Sequence, residues 1–425
     1  MNKEGGRNAR LFLLLRMMLQ ETQEYTSAGL SLENNREAET LLSRFEVSKG
    51  RVSIYRSSQG ISKQHWEIAF EGVSKGLAYY FILERAITDG FEYFFVHLED
   101  QDGGLVGIQP IFLVRQDLVT GMPGAIRTMV AKVRDYWSSF LKAKLLMVGC
   151  TAGDCTPGVV KGKEAIFAEM LSDALVSFSA MKRPFLIVCK DVSSRYRPVF
   201  SWMRSFVRIP SFPNVRMDLD FVDFDDFIQK RLSKVTRKGL RRKFRDSEVG
   251  APIEMEVRSE LGPYLEDAYG LYKQVFDRSE FRFEELTRDF FQYLGEEMPD
   301  RVRFFLWKRE GKLVAFSLCL VHGETIADCY LGLDYSLAHQ LHLYFVTLRD
   351  VMEWSVKNGY KEYVSTPLNY DPKQHLRFLL DPLDLYIRHP SRWLNAIIAP
   401  FIKILGPTGY DPVLKRFENA EVLFK

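Results

Sequence analysis

Nine of the sixteen residues from Lys230 to Arg245 are Lys or Arg, and none is acidic. Leu232, Val235, Leu240 and Phe244 recur within them at helical spacing, which predicts a basic amphipathic helix. Such a face can hold a phosphorylated ligand, a nucleic acid or an anionic membrane. Arg237, Lys238, Arg241 and Arg242 are the candidates for phosphate contact, because ammonium and guanidinium groups pair with phosphate oxygens. The competing reading is a solvated charged face. Nine cations without one compensating acid exceed what solvation requires. A second pair, Asp328 and Tyr330, is predicted to share one face of a strand from Thr325 to Gly332. Tyr330 there could serve as a general acid, with ordinary strand packing as the alternative.

The charge balance narrows the partners. The net charge is only +3 over 425 residues, so the basic stretch is a local concentration. A dedicated nucleic-acid binder would be basic over a whole domain, so no DNA partner is expected. Five cysteines without CxxC spacing and seven histidines form no zinc pattern, so no metal is expected and the thiols are read as reduced and cytoplasmic. The run Leu11–Leu15 is five residues long and bracketed by Arg10 and Arg16, too short for a signal core or a span. The protein is expected in the cytoplasm, with peripheral contact at the inner membrane surface as an option. That option rests on the apolar segment 391–405, which is broken by Pro400. Docking of the segment through Trp393 and its Ile residues is the other reading.

The elements that would position these residues come in two similar series. Residues 1–50 read as a helical extension. A strand at Arg51–Tyr55, helices near 62–70 and 76–88, and a hairpin Phe94–Glu99 with Leu105–Val114 follow. Pro110 in the returning strand predicts a bulge or an edge. A strand at Leu145–Gly149, a Gly-rich loop Cys150–Gly158, a long helix and the strand Pro184–Cys189 complete the first series. The second runs from a strand at Val215 through the basic helix to a hairpin, Arg303–Lys308 with Leu313–Val321. A helix near 342–358, capped by Gly359, and a strand Lys361–Ser365 close it. The two hairpins align, with small Gly107 and Ala315 in equivalent places, which indicates two copies of one domain.

This order resembles the GNAT acyltransferase fold. In detail the chain is similar to the tandem-GNAT group of FemAB-type peptidyltransferases and their peptidoglycan biosynthesis/recognition relatives. The resemblance is carried by Ile61–Trp66, Gly104–Leu113, Phe224–Arg245 and Gly311–Ala315 through Tyr360, over about residues 51–390. It implies an α/β protein of two GNAT-like modules in tandem, with mixed, mostly antiparallel sheets flanked by helices. The modules are expected at 51–214 and 215–390, with a C-terminal amphipathic extension at 391–425. The Q/R-x-x-G-x-G/A turn that holds pyrophosphate in acetyl-CoA-dependent members is absent from Gly332–His342, and the Cys150–Gly158 loop is a weak substitute.

The implied activity is transfer of an acyl or aminoacyl group from a phosphorylated donor to an amine on a small-molecule or peptide-like substrate. Acyl-CoA is a candidate co-substrate, aminoacyl-tRNA the other donor, and no tightly bound cofactor is expected. His342, between the fourth strand and the next helix, is the first catalytic candidate, beside Tyr330 and Asp328. The loop after the last short strand implies substrate contacts at Tyr370, Lys373 and His375. A non-catalytic protein recognising a cell-envelope or nucleotide-bearing ligand is the alternative.

Overall fold

The computed structural model describes residues 36–119, 124–279, 281–402, 408 and 411–423. The Leu11–Leu15 run and most of the predicted N-terminal extension lie outside these. The part of the extension from 41 to 47 is a strand rather than a helix: Leu41–Val47 pairs antiparallel with its neighbour, Phe45 and Val47 packing against a sheet core.

Among the described residues sixteen strands form two sheets. In chain order they are β1 (Leu41–Val47), β2 (Gly50–Tyr55), β3 (Phe91–Asp100), β4 (Leu105–Asp117), β5 (Lys142–Val148), β6 (Gly158–Val159), β7 (Leu186–Ser193) and β8 (Val207–Pro210). There follow β9 (Asn214–Asp218), β10 (Ile253–Arg258), β11 (Val302–Arg309), β12 (Lys312–His322), β13 (Thr325–Leu333), β14 (Glu362–Ser365), β15 (Leu379–Asp381) and β16 (Leu383–Arg388). The helices used below are α1 (Lys63–Ala69), α2 (Leu77–Ala86), α3 (Gly124–Arg134), α4 (Glu164–Lys182), α5 (Phe224–Arg231) and α6 (Lys234–Ser247). The others are α7 (Leu265–Phe276), α8 (Arg288–Glu297), α9 (Leu343–Lys357) and α10 (Arg392–Ile402).

The first sheet runs β1-β2-β3-β4-β5-β7-β16-β8 and the second β10-β11-β12-β13-β14-β9-β15. Within them β2-β3-β4-β5-β7 and β10-β11-β12-β13-β14 repeat the same neighbours in the same senses. Each has three antiparallel pairs and then one parallel pair, β5 with β7 and β13 with β14. The duplication read from the hairpins therefore extends to the whole sheet order. The modules are not consecutive, however. β16 lies inside the predicted second module, yet pairs antiparallel with β7 and β8 of the first sheet. Buried Asp384 of β16 is held there by Arg197, Nε to Oδ2 at 2.5 Å.

Local chemistry explains most boundaries. Ser62 accepts from the His65 amide and opens α1; Thr287 accepts from the Phe290 amide and opens α8. The predicted continuous helix from Phe224 through the basic segment breaks at Leu232, which is extended. Ser233 then caps α6 by accepting from the Thr236 amide. Pro110 sits inside the interior strand β4, paired with Phe95, and not at a bulge or sheet edge. It is tolerated because β5 begins its pairing at Ile111 and β6 at Ile108, so no strand partner needs the missing donor.

The modules share a core. α1 and α2 of the first pack with α7 and α8 of the second over one face of β11–β13, with Tyr79 edge-on to Phe290 at 6.2 Å. Arg301 donates to the carbonyls of Val73 (2.7 Å) and Ser74 (2.9 Å) across the junction. No helix among the described residues is long and apolar enough to cross a membrane.

Candidate active site

A cleft of about 1400 Å³ lies between the modules. Its shape follows from the two parallel pairs. In the second module β14 pairs with β13 only from Thr325 to Asp328, and beyond it β13 continues to Leu333 paired with β12 on its other side alone. That opening, from Cys329 onward, lines the cleft. In the first module the equivalent gap beyond Val148 is closed by the chain's own loop. Cys150, Thr151, Ala152 and Cys155 are buried in it, and the Cys155 amide donates to Asp191 O at 3.0 Å. The Gly-rich loop is therefore a plug and not an open phosphate cradle. Gly153 has φ +127°, and a Cβ there would stand 2.5 Å from Lys75 Nζ. Glycine is required for Lys75 to reach Asp154.

The cleft concentrates ionisable groups from both modules. Lys75 pairs with Asp154, and Lys190 with Asp191 at 2.9 Å. Lys190 also donates to Gly153 O at 3.0 Å, and Ser211 to Asp191 at 2.5 Å. Burial alone would discharge Lys190, but Asp191 and Glu284 hold its ammonium above the usual lysine value. Glu284, on the loop between α7 and α8, accepts from Tyr330 Oη at 2.6 Å. Burial pushes its carboxyl up, against the opposing charge of Lys190. Tyr330 is kept neutral by burial and by Glu284. Burial raises the Cys329 thiol to about 12, so it is protonated at neutral pH.

The sequence-predicted residues divide around this cleft. Tyr330 is in it, as donor to Glu284. Asp328 does not share its face: a register shift opposite Leu318 and Cys319 leaves Cys329 as an extra residue, and a bulge of one residue reverses the alternation. Asp328 also lines the cleft, but its carboxylate accepts from Ser317 and from Tyr363 Oη at 2.6 Å, tying β12, β13 and β14 together. His342 lines the cleft as the left-handed N-cap residue of α9, φ 49°, with Nε2 3.9 Å from Asp246. Burial and then Lys243 lower its pKa. Lys373 also reaches the cleft, but its ammonium donates to the carbonyls of Thr366 (2.6 Å) and Leu368 (2.9 Å). Burial drops it to about 8. Tyr370 is buried in the core, donating to Pro213 O at 2.8 Å, and His375 is exposed on the outer side of its helix turn.

The basic helix presents two faces. Lys243 alone of the seven cations on α6 lines the cleft, over the Phe345 ring at 4.4 Å. Arg237, Lys238 and Arg241 line a separate groove with Asp225 and Gln229, and Arg242 is exposed. Lys75, Asp154, Lys190, Asp191 and Glu284 were missed by sequence reasoning. They lie on one strand, β7, and three separate loops, and no spacing motif connects them. No group of His, Cys, Asp or Glu among the described residues could hold a metal.

The family comparison falls on the half with the open strand pair: residues 234–373 match the acetyltransferase (GNAT) domain family. The match is to an acyltransferase-type fold, and the first sheet repeats the strand order of the second. No curated protein matches the chain. Among solved structures it is similar to FemX, at 10% identity and TM-score 0.49, over 84% of this chain and 100% of that one. It is similar to L-PGS from Bacillus licheniformis at 12% identity and TM-score 0.47, over 77% and 95%. A tandem GNAT protein from the clavulanic acid biosynthesis pathway matches at 11% and 0.42, over 74% and 86%.

Proposed function

We propose that the chain transfers an acyl or aminoacyl group to a primary amine by direct attack in the intermodule cleft. One observation carries this reading: a half-buried carboxylate, Glu284, held by Tyr330 and facing Lys190, beside the unpaired edge of β13. Acyl transfer needs a neutral amine, so a base must accept its proton. Tyr330 occupies one oxygen of Glu284 and leaves the other for the amine. The amine nitrogen bonds to the carbonyl carbon, the thioester C–S or ester C–O bond breaks, and the amine proton passes to Glu284 and on to the leaving group or water. Backbone N–H groups on the free β13 edge would serve the developing oxyanion. A protonated Cys329 is a poor nucleophile, which favours direct attack over a covalent enzyme intermediate. The donor's phosphates fit the end of the cleft with His342, His339, Lys243 and Arg278.

Donor identity separates by binding. Stabilisation by acyl-CoA of a particular chain length in a thermal-shift series assigns the CoA route. No stabilisation by any acyl-CoA, with RNA that copurifies and is lost at high salt, assigns aminoacyl-tRNA. Thiol release or amide formation that survives Glu284→Gln unchanged would overturn the assigned base.

A further inference from the structure

We propose that the end of the first sheet where β5 and β7 begin is a docking face for an acidic lipid bilayer. The register places four chain segments at this one end. Asp117 of β4 pairs with Lys142 of β5, Leu145 with Leu186 of β7, Ile187 with Arg388 of β16, and Ile387 with Val207 of β8. With neighbouring strands about 4.8 Å apart, the row from β4 to β8 spans roughly 20 Å. The connections leaving this row carry α3 and α10, and the turn between α4 and β7 lies between them.

Both helices turn an apolar stripe outward. On α10, Asn395 and Ile402 are buried and Ile398 packs on the sheet, while Trp393 (85% exposed), Ile397 (62%) and Phe401 form the opposite stripe. The expected docking of Trp393 against the second module therefore does not occur. On α3 and the turn after it, Met129, Val133, Tyr136 (95%) and Trp137 follow the same spacing, with Val130 inward. Exposed Phe185 bridges the two groups through its ring contact with His389.

The charges at this end select the occupant. Asp117 and Glu92 are already bridged, by Arg134 and Lys182. Lys132, Lys142, Arg183 and Arg392 have no carboxylate partner among the described residues, against Asp89 and Asp135. Exposed Trp and Tyr rings with a cationic rim match the headgroup layer of an acidic membrane. A second copy of this chain would bring like charges together. The cleft wall of Leu145, Leu186 and Ile387 starts at this same row.

The test is cosedimentation of the full chain with vesicles of equal phosphatidylglycerol and phosphatidylcholine. Binding is expected at low salt and should fall several-fold without phosphatidylglycerol, which removes the surface charge, or in 0.5 M NaCl, where the screening length drops to about 4 Å. Trp393→Asp/Ile397→Asp should lower the bound fraction about ten-fold at unchanged Tm, since both side chains are exposed. Arg183→Glu/Arg392→Glu should remove the preference for acidic lipid. Val235→Asp, on an exposed apolar position of α6, should bind as the parent does. No binding at low salt, equal loss by Val235→Asp, or a dimer that Trp393→Asp dissociates without any vesicle binding would each overturn the proposal.

Discussion

The parallel pair β5–β7 and the parallel pair β13–β14 are the same piece of architecture with opposite contents. In the first module the gap beyond the pair is filled by the loop Cys150–Cys155, with Cys150, Thr151, Ala152 and Cys155 buried and the Cys155 amide bonded to β7. In the second the strands separate after Asp328 and the gap opens into the cleft. A filled gap contributes packing and rigid placement of Asp154 and Lys190. An open one leaves backbone groups for water or a ligand to satisfy. The same scaffold thus stands twice, and a six-residue loop separates a filled wall from an open cleft.

The sharpest way to break this division is at the base. Glu284→Gln keeps an acceptor for Tyr330, so stability should change little while turnover falls by about 10²–10⁴-fold. A steady-state assay alongside Tm measures both. Loss of fold rather than rate would move Glu284 to a structural role. Next comes the plug: Gly153→Ala puts a Cβ against Lys75 in a left-handed backbone and should cost about 1–3 kcal/mol by denaturant unfolding. Thr366→Ala at the open gap removes one hydrogen bond to Cys329 O and should cost about 1 kcal/mol or less. Equal costs at the two sites would erase the contrast.

Acid sensitivity should also differ between the modules. In the first, burial and then His65 hold His97 down to about 3, so the folded state binds fewer protons than the unfolded one between pH 6.5 and 3. Stability linked to His97 is complete above pH 6.5 and is lost as pH falls through that window. In the second, Lys373 at about 8 makes stability rise with pH from 8 to 10.5, where the unfolded lysine still holds its proton. Urea titrations across pH on the parent, His97→Gln and Lys373→Met should show each slope vanish in its own variant. The smallest effect concerns the basic helix. Lys243→Ala should raise the donor KM several-fold, roughly 1 kcal/mol, and Arg237→Ala less than about two-fold. A larger effect from Arg237 would extend the donor site into the outer groove.

Much of the scaffold was legible locally. Hairpins announced by alternation and Gly turns, caps at Ser62 and Gly359, and the Gly107/Ala315 equivalence lie within a few residues of one another. The exchange of β16 into the first sheet was not legible, because a strand's partner is set by contacts more than a hundred residues away. The shared face of Asp328 and Tyr330 failed for a subtler reason: one bulged residue reverses the period-two pattern, and nothing in Ala327–Tyr330 marks it. The basic helix is cationic as expected, and Leu240 and Phe244 face the core, but Leu232 lies in the break before the helix and Val235 is exposed, so both its apolar face and the cations that face the cleft depend on that break.

By itself, then, the sequence determined the elements, the duplication and the presence of a concentrated cationic helix, since periodicity and capping are properties of neighbouring residues. Only the tertiary structure decided which copy stays open and which carboxylate meets which amine. Glu284, Tyr330 and Lys190 lie on a loop and two strands of different modules, and their burial, which raises the Glu284 pKa, exists only once those modules pack.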